Sequence, residues 1–164
     1  MPDRIDQILA QWGRERPELP TGAMALVGRI QRAAAALRPR LDRVHEKSGL
    51  QGDSFDVLAS LRRSGSPYQL SPTQLYREMM LSSGAMTNRI DRLEKAGLVV
   101  RRDDPNDRRG TLVRLTAKGK TLVDAATDKH VANEENVVAA LSVAEQRTLN
   151  EMLRKLLIAL GDTG

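Results

Sequence analysis

The sequence predicts a mainly α-helical protein that carries one small β-hairpin. Two observations predict it. Apolar residues recur at helical spacing over most of the 164 positions, and the period changes to that of strands only between Leu98 and Leu115.

Ile5, Ile8, Leu9 and Trp12 form a short stripe behind Asp3, which suits a helix cap. Two prolines and a glycine in Arg16–Gly22 cannot continue that helix and mark a loop. A long second stripe follows (Leu26, Ile30, Ala33, Leu37, Leu41, Val44), with Pro39 as a point of kinking and Gly49 and Gly52 at its far end. Asp53 is placed to cap a third helix that turns Phe55, Leu58 and Leu61 inward. Ser71-Pro72-Thr73-Gln74 is a strong helix start: the serine caps, proline takes the first helical position and Gln74 closes a capping box. This fourth helix is short, ending near Met79 or Met80. A tight turn at Leu81-Ser82-Ser83-Gly84 leads into a fifth, whose buried stripe is Met86, Ile90 and Leu93 and which Gly97 stops.

Leu98–Arg102 and Thr111–Leu115 then read as β-rich runs around a turn-rich, charged tip at Asp103–Gly110. Thr116 caps a helix running from Ala117 towards Asn136. Ser142-x-x-Glu145 opens a last helix bearing Leu149, Met152, Leu153, Leu156, Leu157 and Leu160.

Charge narrows the function. The 26 Lys and Arg outnumber the 21 Asp and Glu by five, and the segment Ser82–Lys120 alone holds ten basic and five acidic residues. Elsewhere the charges balance at sixteen of each. A localised basic surplus suits a polyanion, because each neutralised phosphate releases condensed counterions. The four aromatic residues, Trp12, Phe55, Tyr68 and Tyr76, all lie outside that segment, which disfavours stacking on single strands and favours duplex DNA.

Other classes fall away. No apolar run is long enough for a membrane span, and Met1-Pro2-Asp3 does not open a signal peptide, so a cytoplasmic protein is expected. Without cysteine there is no thiolate metal site and no disulfide. His45 and His130 have no partner at ligand spacing and read as surface or interface histidines. There is no glycine-rich phosphate loop, nucleophile elbow or zinc-protease motif. Neither an enzyme nor a cofactor is expected.

Two closely joined helices, the second polar on its outer face, make a helix-turn-helix, and the following hairpin makes it winged. A helix about 10–12 Å across fits the major groove, and a cationic hairpin tip reaches the minor groove beside it. Opposite the buried stripe lie Gly84, Asn88, Asp91, Arg92 and Lys95, with Ser82, Ser83 and Thr87 at the N-terminal end. Candidate DNA-binding residues are therefore Ser82, Ser83, Thr87, Asn88 and Arg92, with Arg108 and Arg109 at the wing tip. One of those two arginines is expected to enter the groove, while the other pairs with Asp104 or Asp107. The bland counterpart is a set of caps, a solvated helix face and a solvated loop.

Leu81–Val99, then Asp104-Pro105-Asn106-Asp107-Arg108-Arg109-Gly110, then Leu115-Thr116-Ala117-Lys118-Gly119 resemble, in register, the MarR family of bacterial regulators. The resemblance extends to the order and length of the flanking helices. It implies a homodimer with entwined first and last helices that presents two winged helices to a pseudo-palindromic double-stranded operator. On that basis residues 1–50 are assigned to dimerisation and a ligand crevice, 51–116 to the DNA-binding lobe and 117–164 to C-terminal dimerisation helices.

Members responding to urate carry an additional N-terminal helix with a tryptophan, an aspartate on a core helix, and arginines on the recognition helix and at the start of the wing. Trp12, Asp56, Arg89 and Arg101 occupy the matching places. The chemistry is coherent, since an indole stacks on a flat purine and guanidinium groups pair with an anion. The resemblance thus implies a repressor released by a small anionic ligand, urate or a related purine. Two alternatives stay open: a phenolic or carboxylate ligand, and a DNA-binding protein with no ligand. Each residue also has a plainer role, Trp12 as an interface anchor, Asp56 as a helix-dipole partner, Arg89 as a phosphate contact and Arg101 as a solvated strand residue.

Overall fold

The computed structural model describes residues 1–47, 49–50, 52–79 and 83–162; the side chains of Ser83 and Arg108 fall outside that description. Among the described residues, seven helices and three strands run in the order α1 (Arg4–Glu15), α2 (Gly22–Lys47), α3 (Gly52–Arg63), β1 (Gln69–Leu70), α4 (Pro72–Met79), α5 (Ser83–Lys95), β2 (Val99–Asp104), β3 (Asp107–Leu115), α6 (Ala117–Val138) and α7 (Val143–Ala159). The chain divides into two compact units, Met1–Arg40 and Leu41–Gly164. The division falls just after Pro39, which lies inside α2 and supplies no backbone N–H to its ladder.

In the first unit Asp3 caps α1 as expected, through a reciprocal capping box with Asp6. α1 folds back on α2 because Ile5 fits over Gly28: a Cβ there would stand only 2.8 Å from the Ile5 Cδ1. Arg29 of α2 ties the pair together, reaching Asp3 at 2.8 Å and Asp6 at 2.5 Å. Ile5 is buried, whereas Trp12, Leu26 and Leu37 stay exposed.

The second unit is built around α3. Val57, Leu58 and Leu61 are fully buried among Leu75 of α4, Met86, Ile90 and Leu93 of α5, Val99, Val113 and Leu115 of the sheet, and Val123 and Ala126 of α6. Asp53 lies in the first turn of α3, which already begins at Gly52, so it is not the cap that the sequence suggested. Ser71 and Gln74 do form their capping box, at 2.8 and 3.2 Å. Gly97 adopts φ +69° and ends α5 in the left-handed turn that its lack of a Cβ permits, with the Leu98 N–H closing on the Leu93 carbonyl at 2.9 Å.

The sheet is antiparallel in the order β1-β3-β2. β1 was not anticipated; its two residues pair Gln69 with Arg114 and Leu70 with Val113. The hairpin also differs from the eight-residue tip expected. The strands continue to Asp104 and Asp107, leaving Pro105 and Asn106 as the turn, and the register jumps from Asp103–Thr111 to Asp104–Asp107. Positions 108–110 therefore bulge out of the ladder, the device by which a strand re-aims its side chains.

α6 begins at the Thr116 cap, whose Oγ accepts the Gly119 N–H and donates to the Gly97 carbonyl. α6 then packs along α3. There His45 is buried rather than at the surface: its ring stacks on Phe55, and its Nε2 lies 3.1 Å from the His130 Nδ1. α7, capped by Ser142 and Glu145, buries none of its residues and leaves Leu149, Met152, Leu156, Leu157 and Leu160 exposed.

Candidate nucleic-acid interface

The outer surface of α5 and the tip of the hairpin both expose polar and basic residues of the second unit. Met86, Ile90 and Leu93 hold α5 against the core at 1–2% exposure, so the helix cannot rotate without exposing that stripe. Thr87, Asn88, Arg92 and Lys95 are consequently exposed. Ser83 begins α5; Ser82 lies outside the described residues. At the tip, the Asp104 carboxylate accepts the Asn106 N–H and that of Asp107 accepts the Arg109 N–H, each at 2.9 Å. Those bonds and a glycine at 110 keep the tip tight, since a Cβ there would meet the Asp104 Cβ at 2.9 Å. The Arg109 side chain is exposed and pairs with no acid among the described residues. One carboxylate oxygen of Asp107 thus serves the backbone of Arg109; the Arg108 side chain lies outside the described residues.

Arginines and carboxylates are divided between the two flanks of α5. On one flank Arg89 (3.2 Å) and Arg92 (2.7 Å) converge on Oδ2 of Asp53, in the first turn of α3. On the other, Asp91 (2.6 Å) and Glu94 hold the guanidinium of Arg101, and Glu94 also accepts the Arg101 backbone N–H at 3.0 Å. The two pairs are about 160° apart around the helix at 3.6 residues per turn. Partial burial alone would lower the Arg101 pKa, but Asp91 and Glu94 outweigh it and the guanidinium is held above its ordinary value. Arg101 is therefore a clamp between the wing and α5 rather than a solvated strand residue.

Of the four residues matched to a ligand role, Trp12 belongs to the first unit and Asp56, Arg89 and Arg101 to the second. Trp12 sits on α1 in the first unit, 39% exposed. Asp56 is half-buried on α3, while Arg89 and Arg101 occupy opposite flanks of α5. A cleft of about 580 Å³ in the second unit is lined instead by Phe55, Ala59, Arg62, Asp124, Asp128 and His130, among others. No cluster of metal-ligating side chains occurs among the described residues. Asp53 and Glu94 were missed as site residues. Their partners lie 39 and seven residues away in sequence, and no periodicity links such positions.

Comparison with known proteins agrees with this geometry. A family model described as the MarR family matches residues 48–110. The HTH-type transcriptional regulator PecS of Dickeya dadantii (strain 3937) is 35% identical over 93% of this chain and 92% of its own length. The chain belongs to the MarR family. Its fold is shared with a mutant E. coli MarR solved with operator DNA, at 26% identity and TM-score 0.73 over 85% of this chain and 99% of that one. It is shared equally with Sco3205, a MarR family transcriptional regulator from Streptomyces coelicolor solved with DNA, at 26% identity and TM-score 0.76 over 87% and 89%. The MarR-family match takes in α5, β2 and the hairpin tip, which carry the exposed cations. These relatives are regulators, not enzymes, and no helix among the described residues is long and apolar enough to cross a membrane.

Proposed function

We propose that this MarR-family regulator acts as a homodimeric, sequence-specific repressor whose affinity for duplex DNA is lowered by a small anion. The observation that carries the DNA reading is the exposure of Thr87, Asn88, Arg92 and Arg109 on one helix and one hairpin tip, backed by a stripe that fixes the helix in place. Each α5 enters a major groove and each wing tip a minor groove, with Ser82, Ser83 and Arg108 completing the contacts. Half-sites lie about one helical turn apart, ~10 bp centre to centre. The two relatives solved with DNA support this use of the surface.

The dimer reading is supported by the apolar side chains that α7 exposes, more than a solvated terminal helix needs. For the ligand, Trp12, Asp56, Arg89 and Arg101 are the assigned residues, and urate or a related purine is the assigned class. In the structure both arginines are already paired with carboxylates. An anion that takes the place of Asp53 on Arg89, or of Asp91 and Glu94 on Arg101, disturbs the flank of α5. Such a ligand acts only by binding the DNA-incompetent state more tightly, since equal affinity shifts nothing.

The test uses the single tryptophan. Urate, xanthine, salicylate and citrate are titrated while Trp12 fluorescence is followed, with free tryptophan as the inner-filter control. Each titration is repeated with labelled duplex bound. Saturable quenching by a purine with parallel loss of DNA is the expected result. Quenching by none, with DNA binding intact, leaves a winged-helix DNA-binding protein whose Trp12 only packs.

A further inference from the structure

We propose that Asp53 is a positioning residue for the DNA contact: it orients Arg92 so that one edge of the guanidinium is tied to α3 and the rest faces phosphate. The inference rests on the assignment of Arg92 to the DNA face made above. Asp53 Oδ2 accepts Arg92 Nη2 at 2.7 Å and Arg89 Nε at 3.2 Å. One carboxylate thus serves two cations, and the cluster keeps a net positive charge. The two arginines are not equivalent. The Arg89 side chain is 17% exposed and that of Arg92 is 50% exposed.

A guanidinium offers five donors, and Asp53 takes one of those on Arg92, leaving the remainder for an incoming phosphate. A long side chain held at one edge loses less rotamer freedom when it binds than one that is free. Asp53 sits near the start of α3, an element fixed by the fully buried Val57, Leu58 and Leu61, so its carboxylate is a rigid anchor.

The sign of the effect separates this role from plain electrostatics. Asp53→Asn removes a negative charge near DNA, and charge alone would tighten binding and steepen its salt dependence. Positioning predicts the reverse. Equilibrium binding to a mixed-sequence duplex of about 30 bp, roughly three helical turns, is measured across a salt series. Asp53→Asn is expected to weaken binding roughly fivefold and to flatten the slope of log K against log salt by about 0.9, one phosphate contact. Arg92→Ala is expected to do the same, the double variant no more than either, and Asp53→Glu to recover most of the loss. Thermal melts of each variant confirm that it is folded.

Unchanged or tighter binding by Asp53→Asn overturns the proposal and makes Asp53 an ordinary repelling acid. So does weaker binding with an unchanged salt slope and effects that add to those of Arg92→Ala, because Asp53 then supports only the fold. If Arg92→Ala binds like the parent while replacement of both Arg108 and Arg109 by Ala weakens binding, the DNA reading stands and this proposal falls. If the parent protein shows no salt-dependent duplex binding, both fall.

Discussion

At the scale of single residues, close backbone approaches are the least forgiving features. A Cβ on Gly119 would lie 2.0 Å from the carbonyl oxygen of Leu98, an atom that also accepts the Thr116 N–H at 3.1 Å. Neither side can yield without moving the start of α6 away from the wing. Gly119→Ala is therefore expected to destabilise the fold by about 3 kcal/mol, the upper part of the usual overpacking range. A fall in the urea midpoint at constant m-value would show it, and an unchanged midpoint would mean that the helix start shifts freely. The Leu115-Thr116-x-x-Gly119 pattern thus has a physical cause: the threonine caps, and the glycine lets the helix sit on a carbonyl.

At the scale of elements, ion pairs hold helices to one another. Arg62 of α3 and Asp124 of α6 pair at 2.7 Å, Lys120 joins at 3.1 Å, and both cations lie over the Tyr68 ring at 5.0 and 5.8 Å. Mainly through its hydrogen bond with Arg62, Asp124 is held below its ordinary carboxylate pKa. A carboxyl with a depressed folded-state pKa contributes stability above its unfolded value, and that contribution is lost as pH falls through the folded one. Both partners are about two-fifths exposed, so solvent keeps the contribution small. At pH 7 Asp124→Asn is expected to melt below the parent. The gap should begin to close as pH drops below roughly 4, where the unfolded carboxyl protonates, and continue to narrow towards the lower folded-state value. A gap that does not narrow at all between about pH 5 and pH 3 would place the effect in packing rather than charge.

At the scale of the whole molecule, α7 is the element without a place in this chain's own core. Leu149, Met152, Leu156 and Leu160 recur at i, i+3, i+7 and i+11, and their exposure ranges from 37% to 74%. Under the dimer proposal, Met152→Glu keeps helix propensity, puts a charge at the centre of that stripe and should yield a monomer in sedimentation experiments. Its affinity for a two-half-site operator should fall well below that of the parent, while its circular dichroism changes little. A dimer that survives Met152→Glu would remove α7 from the interface.

How much was legible follows the range of the interactions. The helix caps at Asp3, Ser71, Thr116 and Ser142, the stop at Gly97 and the stripe Met86–Ile90–Leu93 are local or periodic features. The sequence by itself therefore determined the helices, the hairpin and the outward face of α5. The two-residue β1 carries no alternation to read, and pairs only because β3 offers it an edge. The start of α3 two residues early, the burial of His45 against Phe55 and His130, and the bulge at 108–110 also came from packing. The tertiary structure alone decided which carboxylate each arginine takes: Arg89 and Arg92 go to Asp53, Arg101 to Asp91 and Glu94. The physical reason is that charges of one sign are interchangeable along a sequence. An ion pair depends on a separation of about 3 Å, and only the packing of α5 between α3 and the wing sets that distance.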